Sequence, residues 1–258
     1  MFKARDVLLY FALKYEGKYD LIMSAVRNKL KIDEQDYNFV TVNFKGDFIT
    51  IVDENYPEEF KCIYRPPLVV FYKGDLSLLN DLSRAITVVG TRKPSEYGLK
   101  MATILSSDLV KEQFIIVSGM ARGIDAVAHE SALSLLGKTI AVLGSGINNP
   151  YPKENTELYH NICEQGLILS EYPDLTKPNK EHFPERNRLV AALGRAVLVI
   201  EAQLRSGTLI TVGASLAQGG DIYCVPGLAT GESGTNRLIK DGAYLVETIE
   251  DIKNLWPK

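Results

Sequence analysis

Residues 86–143 read ITVVGTRKPSEYGLKMATILSSDLVKEQFIIVSGMARGIDAVAHESALSLLGKTIAVL, and this stretch decides the fold. Three short runs, Ile86–Val89, Phe114–Val117 and Thr139–Leu143, are rich in valine and isoleucine and apolar almost throughout. Such runs fit strands buried on both faces of a parallel sheet; a strand with one wet face would alternate. Between them, Ser95–Lys111 and Asp125–Leu136 read as helices. Strands alternating with crossover helices predict a doubly wound α/β sheet.

The alternation continues outward. Further strands are predicted at Leu68–Tyr72, Leu167–Leu169, Ala196–Ile200, Ile222–Val225 and Tyr244–Val246, and helices at Lys153–Gln165, Glu185–Leu193 and Thr208–Ala217. Before Leu68 the period changes. From Val7 to Ile32 apolar residues recur three or four apart in short pieces, which is helical spacing. Around Phe48–Tyr64 the chain is aromatic and acidic, with Tyr56-Pro57 and Arg65-Pro66-Pro67 as breakers. The expected organisation is a small helical domain over residues 1–45, a connector over 46–67 and the α/β domain over 68–258.

Of the 258 residues 46% are hydrophobic and 24% charged, ordinary for a globular protein. No apolar run approaches the roughly 20 residues that span a bilayer, and no apolar signal core follows the charged N-terminus, so secreted and membrane classes are excluded. Cys62, Cys163 and Cys224 are scattered without CxxC spacing, which fits free thiols in a reducing cytoplasm. The net charge is −3, so any contact with nucleic acid must rest on a local basic surface.

In an open α/β sheet, ligands bind beyond the carboxyl ends of the strands. Here those ends run into Gly90-Thr91-Arg92, Ser118-Gly119-Met120-Ala121-Arg122-Gly123, Gly144-Ser145-Gly146 and Arg205-Ser206-Gly207-Thr208. Glycine admits close backbone approach and helix N-termini present unpaired N–H groups, so four such loops on one edge read as an anion-binding surface. The alternative is that each glycine only permits a tight turn. No dinucleotide fingerprint, P-loop or nucleophile elbow is intact, and His129, His160 and His182 have no metal-pair spacing. Arg92, Lys93, Arg122, Lys153 and Arg205 sit at or just after strand ends, and Lys177 to Arg188 adds more cations around Phe183. Cations flanking one aromatic suit single-stranded nucleic acid, with phosphates on the charges and a base on the ring. Phe183 packed beneath the next helix is the competing reading.

Taken in order, these motifs resemble the DNA-processing protein A (DprA, also called Smf) family. They are Val88-Val89-Gly90-Thr91-Arg92 with Tyr97-Gly98, Ser118 to Asp125 with Ala128-His129, Tyr151-Pro152 with Asn155, Phe183-Pro184-Glu185-Arg186-Asn187-Arg188, Ser206-Gly207-Thr208, and Pro226-Gly227 with Gly234-Thr235-Asn236. The resemblance covers roughly residues 50–245. It implies an extended Rossmann-like domain that binds single-stranded DNA and loads the RecA recombinase onto it during natural transformation, with no catalysis and no cofactor. It carries DNA contacts onto Arg92, Lys153 and Lys180, a stacking platform onto Phe183, and a wider site onto Gly90, Gly119, Arg122, Gly144, Arg186, Asn187, Arg188, Ser206, Gly207 and Thr208. It further implies a homodimer through residues 210–246. The chain departs from the family pattern in the helical part, where Gly17 stands alone in place of glycine hairpin turns. A C-terminal winged helix is expected to be absent.

The main rival is a nucleoside-monophosphate phosphoribohydrolase of similar fold. Its P-G-G-x-G-T-x-x-E signature carries the catalytic glutamate, and Thr211 stands at that position here. A sensor of a signalling nucleotide is a third reading.

Overall fold

The computed structural model describes residues 2–174, 176–229 and 231–257. Three short helices open the chain, α1 (Ala4–Lys14), α2 (Tyr19–Arg27) and α3 (Glu34–Thr41), followed by strand β1 (Asp47–Thr50), a single helical turn α4 (Glu58–Lys61) and strand β2 (Val69–Gly74). The alternating part comprises β3 (Ala85–Val89), α5 (Glu96–Lys111), β4 (Ile115–Ser118), α6 (Ile124–Ser134), β5 (Thr139–Leu143), α7 (Thr156–Gln165) and β6 (Leu167–Ser170). It continues through α8 (His182–Leu193), β7 (Ala196–Val199), α9 (Thr208–Leu216), β8 (Asp221–Cys224), α10 (Gly234–Lys240), β9 (Tyr244–Leu245) and α11 (Ile249–Leu255).

All nine strands form one sheet in the order β1-β2-β6-β5-β4-β3-β7-β8-β9. The seven from β6 to β9 are parallel, and β1 and β2 add an antiparallel edge. This is the doubly wound α/β architecture, with a helical N-terminal part. Central strands β3 and β5 are buried at every position, as their largely apolar runs require, and the Thr87 and Thr139 hydroxyls they bury donate to the Val190 and Ile116 carbonyls. Ile86, Val88, Ile116 and Leu198 pack on one face with Leu105 and Leu109 of α5 and Ala128 of α6. Val89, Val117, Val142 and Val199 pack on the other with Leu189 and Leu193 of α8 and Val212 of α9. Alternate residues of one strand thus enter opposite cores, the period-two geometry of a pleated strand.

Two segments differ from the sequence expectation. The stretch read as a connector supplies β1, which pairs antiparallel with β2 from Asp47–Tyr72 to Thr50–Val69. A four-residue strand with only Ile49 and Thr50 buried carries too little periodicity to stand out. Helix α8 starts at His182, three residues before the expected Glu185, so Phe183 and Pro184 are helical rather than in the preceding loop. Pro184 interrupts nothing there, because N–H groups in the first turn have no intrahelical acceptor. The N-terminal helices have no separate core either. Leu8, Phe11 and Ile22 bury against Phe71, Leu143 and Ile162 of the main sheet and α7. Among the described residues no helix is long and apolar enough to cross a membrane.

Candidate nucleic-acid interface

Strand β3 is flanked by β4 on one side and β7 on the other, so chain order reverses there. A crevice opens where neighbouring connections leave in opposite directions. It measures about 700 Å³ and is lined by the loops after β3, β4 and β7 together with the first turns of α8 and α9. Ten of the expected site residues meet in it: Gly90, Arg92, Gly119, Lys180, Phe183, Arg186, Asn187, Ser206, Gly207 and Thr208. Arg122 lines a side recess of about 50 Å³ with Arg92, Tyr151 and Phe183. Gly144 lies beneath Phe183, Lys153 sits on the turn before α7, and Arg188 is on another flank of α8.

The electrostatics of the crevice oppose those of the whole chain. Arg92, Lys93 and Lys180 are exposed on its lining, while its one carboxylate among the described residues, Asp125, is buried. Asp125 turns inward because the loop after β4 folds around it: the Gly119 and Ala121 N–H groups each donate to its Oδ2 at 3.2 Å. Burial pushes the Asp125 carboxyl up, and the nearby Arg186 guanidinium works against that. Arg186 is itself 4% exposed and donates to the Gly119 and Val142 carbonyls. Burial lowers its pKa to about 10, so it stays charged at neutral pH. His129 lies in the same interior, with Nδ1 2.7 Å from the Thr139 hydroxyl, and burial and then the Arg186 charge hold its pKa at about 3.

These internal partners change what several glycines are for. A Cβ on Gly119 would lie 2.6 Å from Arg186 Cζ, so glycine there admits the guanidinium. A Cβ on Gly90 would strike Ile124 at 2.6 Å, and one on Gly144 would meet the Phe183 ring at 2.8 Å. The loop after β7 is different. Nothing lies within 4 Å of a Cβ on Gly207, and the Ser206 hydroxyl is buried without a partner among the described residues. Asn187 connects the two sides, accepting from Arg186 Nε at 3.1 Å and donating to the Gly207 carbonyl at 3.5 Å.

Phe183 is half-buried in the crevice wall. Its ring packs on Gly144, lies 5.7 Å from Tyr151 at 44°, and carries the Arg92 guanidinium 5.5 Å from its centroid. Arg122 pairs with Glu154, and Lys153 donates to Asn149 Oδ1 at 3.2 Å. Arg188 is drawn away from the crevice by the buried Glu171, whose two oxygens accept from Nη2 at 2.6 and 2.7 Å. Expected beside the DNA contacts, Arg186 and Arg188 thus both have internal partners. Tyr151, Thr91 and Gln203 line the crevice as well, beyond the expected contact residues. For Tyr151 the signal was present, since the Tyr151-Pro152 motif places an aromatic after β5. Thr211, at the position a catalytic glutamate would take, is 3% exposed in the crevice wall. Among the described residues no cluster of His, Cys, Asp and Glu could hold a metal ion.

The family model for DNA recombination-mediator protein A matches residues 47–257. The DNA processing protein DprA of Bacillus subtilis (strain 168) is 39% identical over 212 residues, 81% of this chain and 71% of the relative. The X-ray structure of DprA from Streptococcus pneumoniae superposes with a TM-score of 0.83 at 34% identity, covering 98% of this chain and 94% of that one. DNA processing protein A from Helicobacter pylori, solved for its unique single-stranded DNA binding mode, superposes with a TM-score of 0.74 at 31% identity. That match covers 82% of this chain and 95% of the other.

Proposed function

The chain belongs to the DNA recombination-mediator protein A (DprA/Smf) family of DNA-processing proteins, and from that premise we propose that it binds single-stranded DNA in the crevice beyond β3, β4 and β7 and presents it to a RecA recombinase. The supporting observation is the contrast within the crevice: exposed Arg92, Lys93 and Lys180 around a half-buried Phe183, with the one described carboxylate buried and bonded. Phosphates meet the cations, and a base stacks on the ring after Arg92 swings from it to a phosphate. Lys153 and Arg122 extend the basic rim, and the open Ser206–Thr208 turn offers backbone to a phosphate. Thr211 at the glutamate position favours binding without hydrolysis. A second copy would join through residues 210–246, where Leu216 and Leu245 are exposed on the β8–β9 side.

Titration of labelled single- and double-stranded oligonucleotides tests this reading, with mononucleotide as competitor. Single strands should bind more tightly, with affinity falling with salt by a log–log slope of about −0.7 per phosphate neutralised. Arg92→Ala should reduce that slope by about 0.7, whereas Phe183→Ala should weaken binding by roughly 1–3 kcal/mol and leave it unchanged. RecA filaments should nucleate faster on strand delivered by this protein, and adenosine monophosphate should release no adenine. Equal affinity for duplex overturns the reading, as does efficient competition by mononucleotide. A monomer by light scattering removes the dimer.

A further inference from the structure

A second cavity, about 420 Å³, lies between α2 and the Tyr64–Arg65 turn that leads into β2. It is lined by Tyr19, Asp20, Ser24, Arg27, Tyr64 and Arg65 among others. Tyr64 is 82% exposed, and no aromatic ring packs on it among the described residues. Arg65 adopts φ 55°, a left-handed conformation costly for a residue with a side chain. Its guanidinium lies 4.8 Å from the Tyr19 ring centroid and is neutralised by Asp20 at 2.5 Å and Glu185 of α8 at 3.5 Å.

Beyond the Arg65–Asp20–Glu185 cluster, the charge beside this cavity has one sign. Leu21 to Ile32 contains Arg27, Lys29 and Lys31 and no acidic residue. All three cations are exposed and have no ion pair among the described residues. A cation in the last turn of α2 complements the helix dipole, which accounts for Arg27 but not for Lys29, Lys31 or the bare ring of Tyr64. The nearest acid, Asp20, is occupied by Arg65. A ring among cations is also what the crevice has, and α8 borders both places, through Phe183 at the crevice and Glu185 at Arg65. The first turn of that helix faces both places. Phe183 enters the crevice, and His182 stacks on Tyr172 at 3.9 Å near the α1–α2 turn that carries Lys18.

We propose that the cavity between α2 and the Tyr64–Arg65 turn is a second single-strand subsite, in which a base of the strand leaving the crevice stacks on Tyr64 and its phosphate meets Arg27. This rests on the crevice reading. An acidic peptide would need the cations but not the ring, so the strand is the better match. Crossing α8 means crossing a helix about 10–12 Å thick, so only an oligonucleotide longer than the crevice reaches both places.

The test uses the full chain with oligodeoxythymidylates of about 5 and about 20 nucleotides, one near the small end of single-strand site sizes and one beyond the large end. The double variant Tyr64→Ala, Arg27→Ala should bind the short strand as the parent does. It should bind the long strand roughly tenfold more weakly, with a salt slope reduced by about 0.7. Tyr64→Phe with Arg27 intact should restore the long-strand affinity, since it keeps the ring. A long strand carrying iodouracil should photo-crosslink to the N-terminal part of the parent and not of the double variant. Unchanged long-strand binding by the double variant, or equal loss on both lengths, overturns the subsite and leaves the crevice standing. A parent that binds neither strand overturns the crevice reading and the subsite with it.

Discussion

The two sides of the crevice are built from similar sequence and do opposite things. After β4, Ser118 to Gly123 wraps its N–H groups around the protein's own Asp125 and its carbonyl around Arg186. After β7, Ser206 to Thr208 encloses nothing, and Gly207 has open space where a side chain would be. A glycine-rich turn at a strand end is therefore an anion site only when its donors are left unmatched by the fold. One side is a structural lock, and the other is the free surface.

Replacing Arg186 should break that comparison most severely. Arg186→Met leaves Asp125 without the charge that opposes its burial and strips a partner from two carbonyls. Losing one member of a buried charged cluster costs about 3–5 kcal/mol, so urea unfolding should shift by that order. A loss below about 1 kcal/mol would show that the lock is dispensable.

The glycines themselves sharpen the contrast. Gly119→Ala drives a methyl group into a guanidinium pinned by two carbonyls and should cost about 1–3 kcal/mol of stability. Gly207→Ala should leave stability within about 0.5 kcal/mol while weakening single-strand binding severalfold. Reversed behaviour, with Gly207 stabilising and Gly119 silent, would exchange the roles of the two sides.

A smaller effect belongs to His129. Its pKa of about 3 in the folded chain is below the ordinary 6.5, so the unfolded chain binds the extra proton between those values. Its contribution to stability is thus complete above pH 6.5 and is lost as pH falls toward 3, at most about 1.4 kcal/mol per pH unit. Asp125, pushed up by burial, acts in the opposite direction, so the His129 contribution is read as the difference between the parent and His129→Gln below pH 6.5. His129→Gln should flatten the stability profile there. An unchanged profile would mean that folding does not shift the His129 pKa.

Much of this was legible in the amino-acid order. Residues 86–143 alone specify a parallel sheet, because a strand buried on both faces must be apolar at consecutive positions and Ile140–Leu143 is. The strand-end loops located the crevice, and ten of the expected residues line it. Strand β1 and the early start of α8 escaped, since a short, half-buried strand and a proline in a first turn leave weak local signals.

The sequence by itself determined the fold class and the edge at which chemistry is possible, since both follow from local periodicity and from which residues end the strands. Tertiary structure alone decided which cations remain free. In Phe183 to Arg188 nothing local separates Arg186 and Arg188 from Arg92 or Lys180. Arg186 is committed by carbonyls 67 and 44 positions away, and Arg188 by a carboxylate 17 positions away. A charge stays at the surface or turns inward according to whether the folded chain surrounds it with enough hydrogen-bond partners to replace water, and those partners come together only when the chain folds.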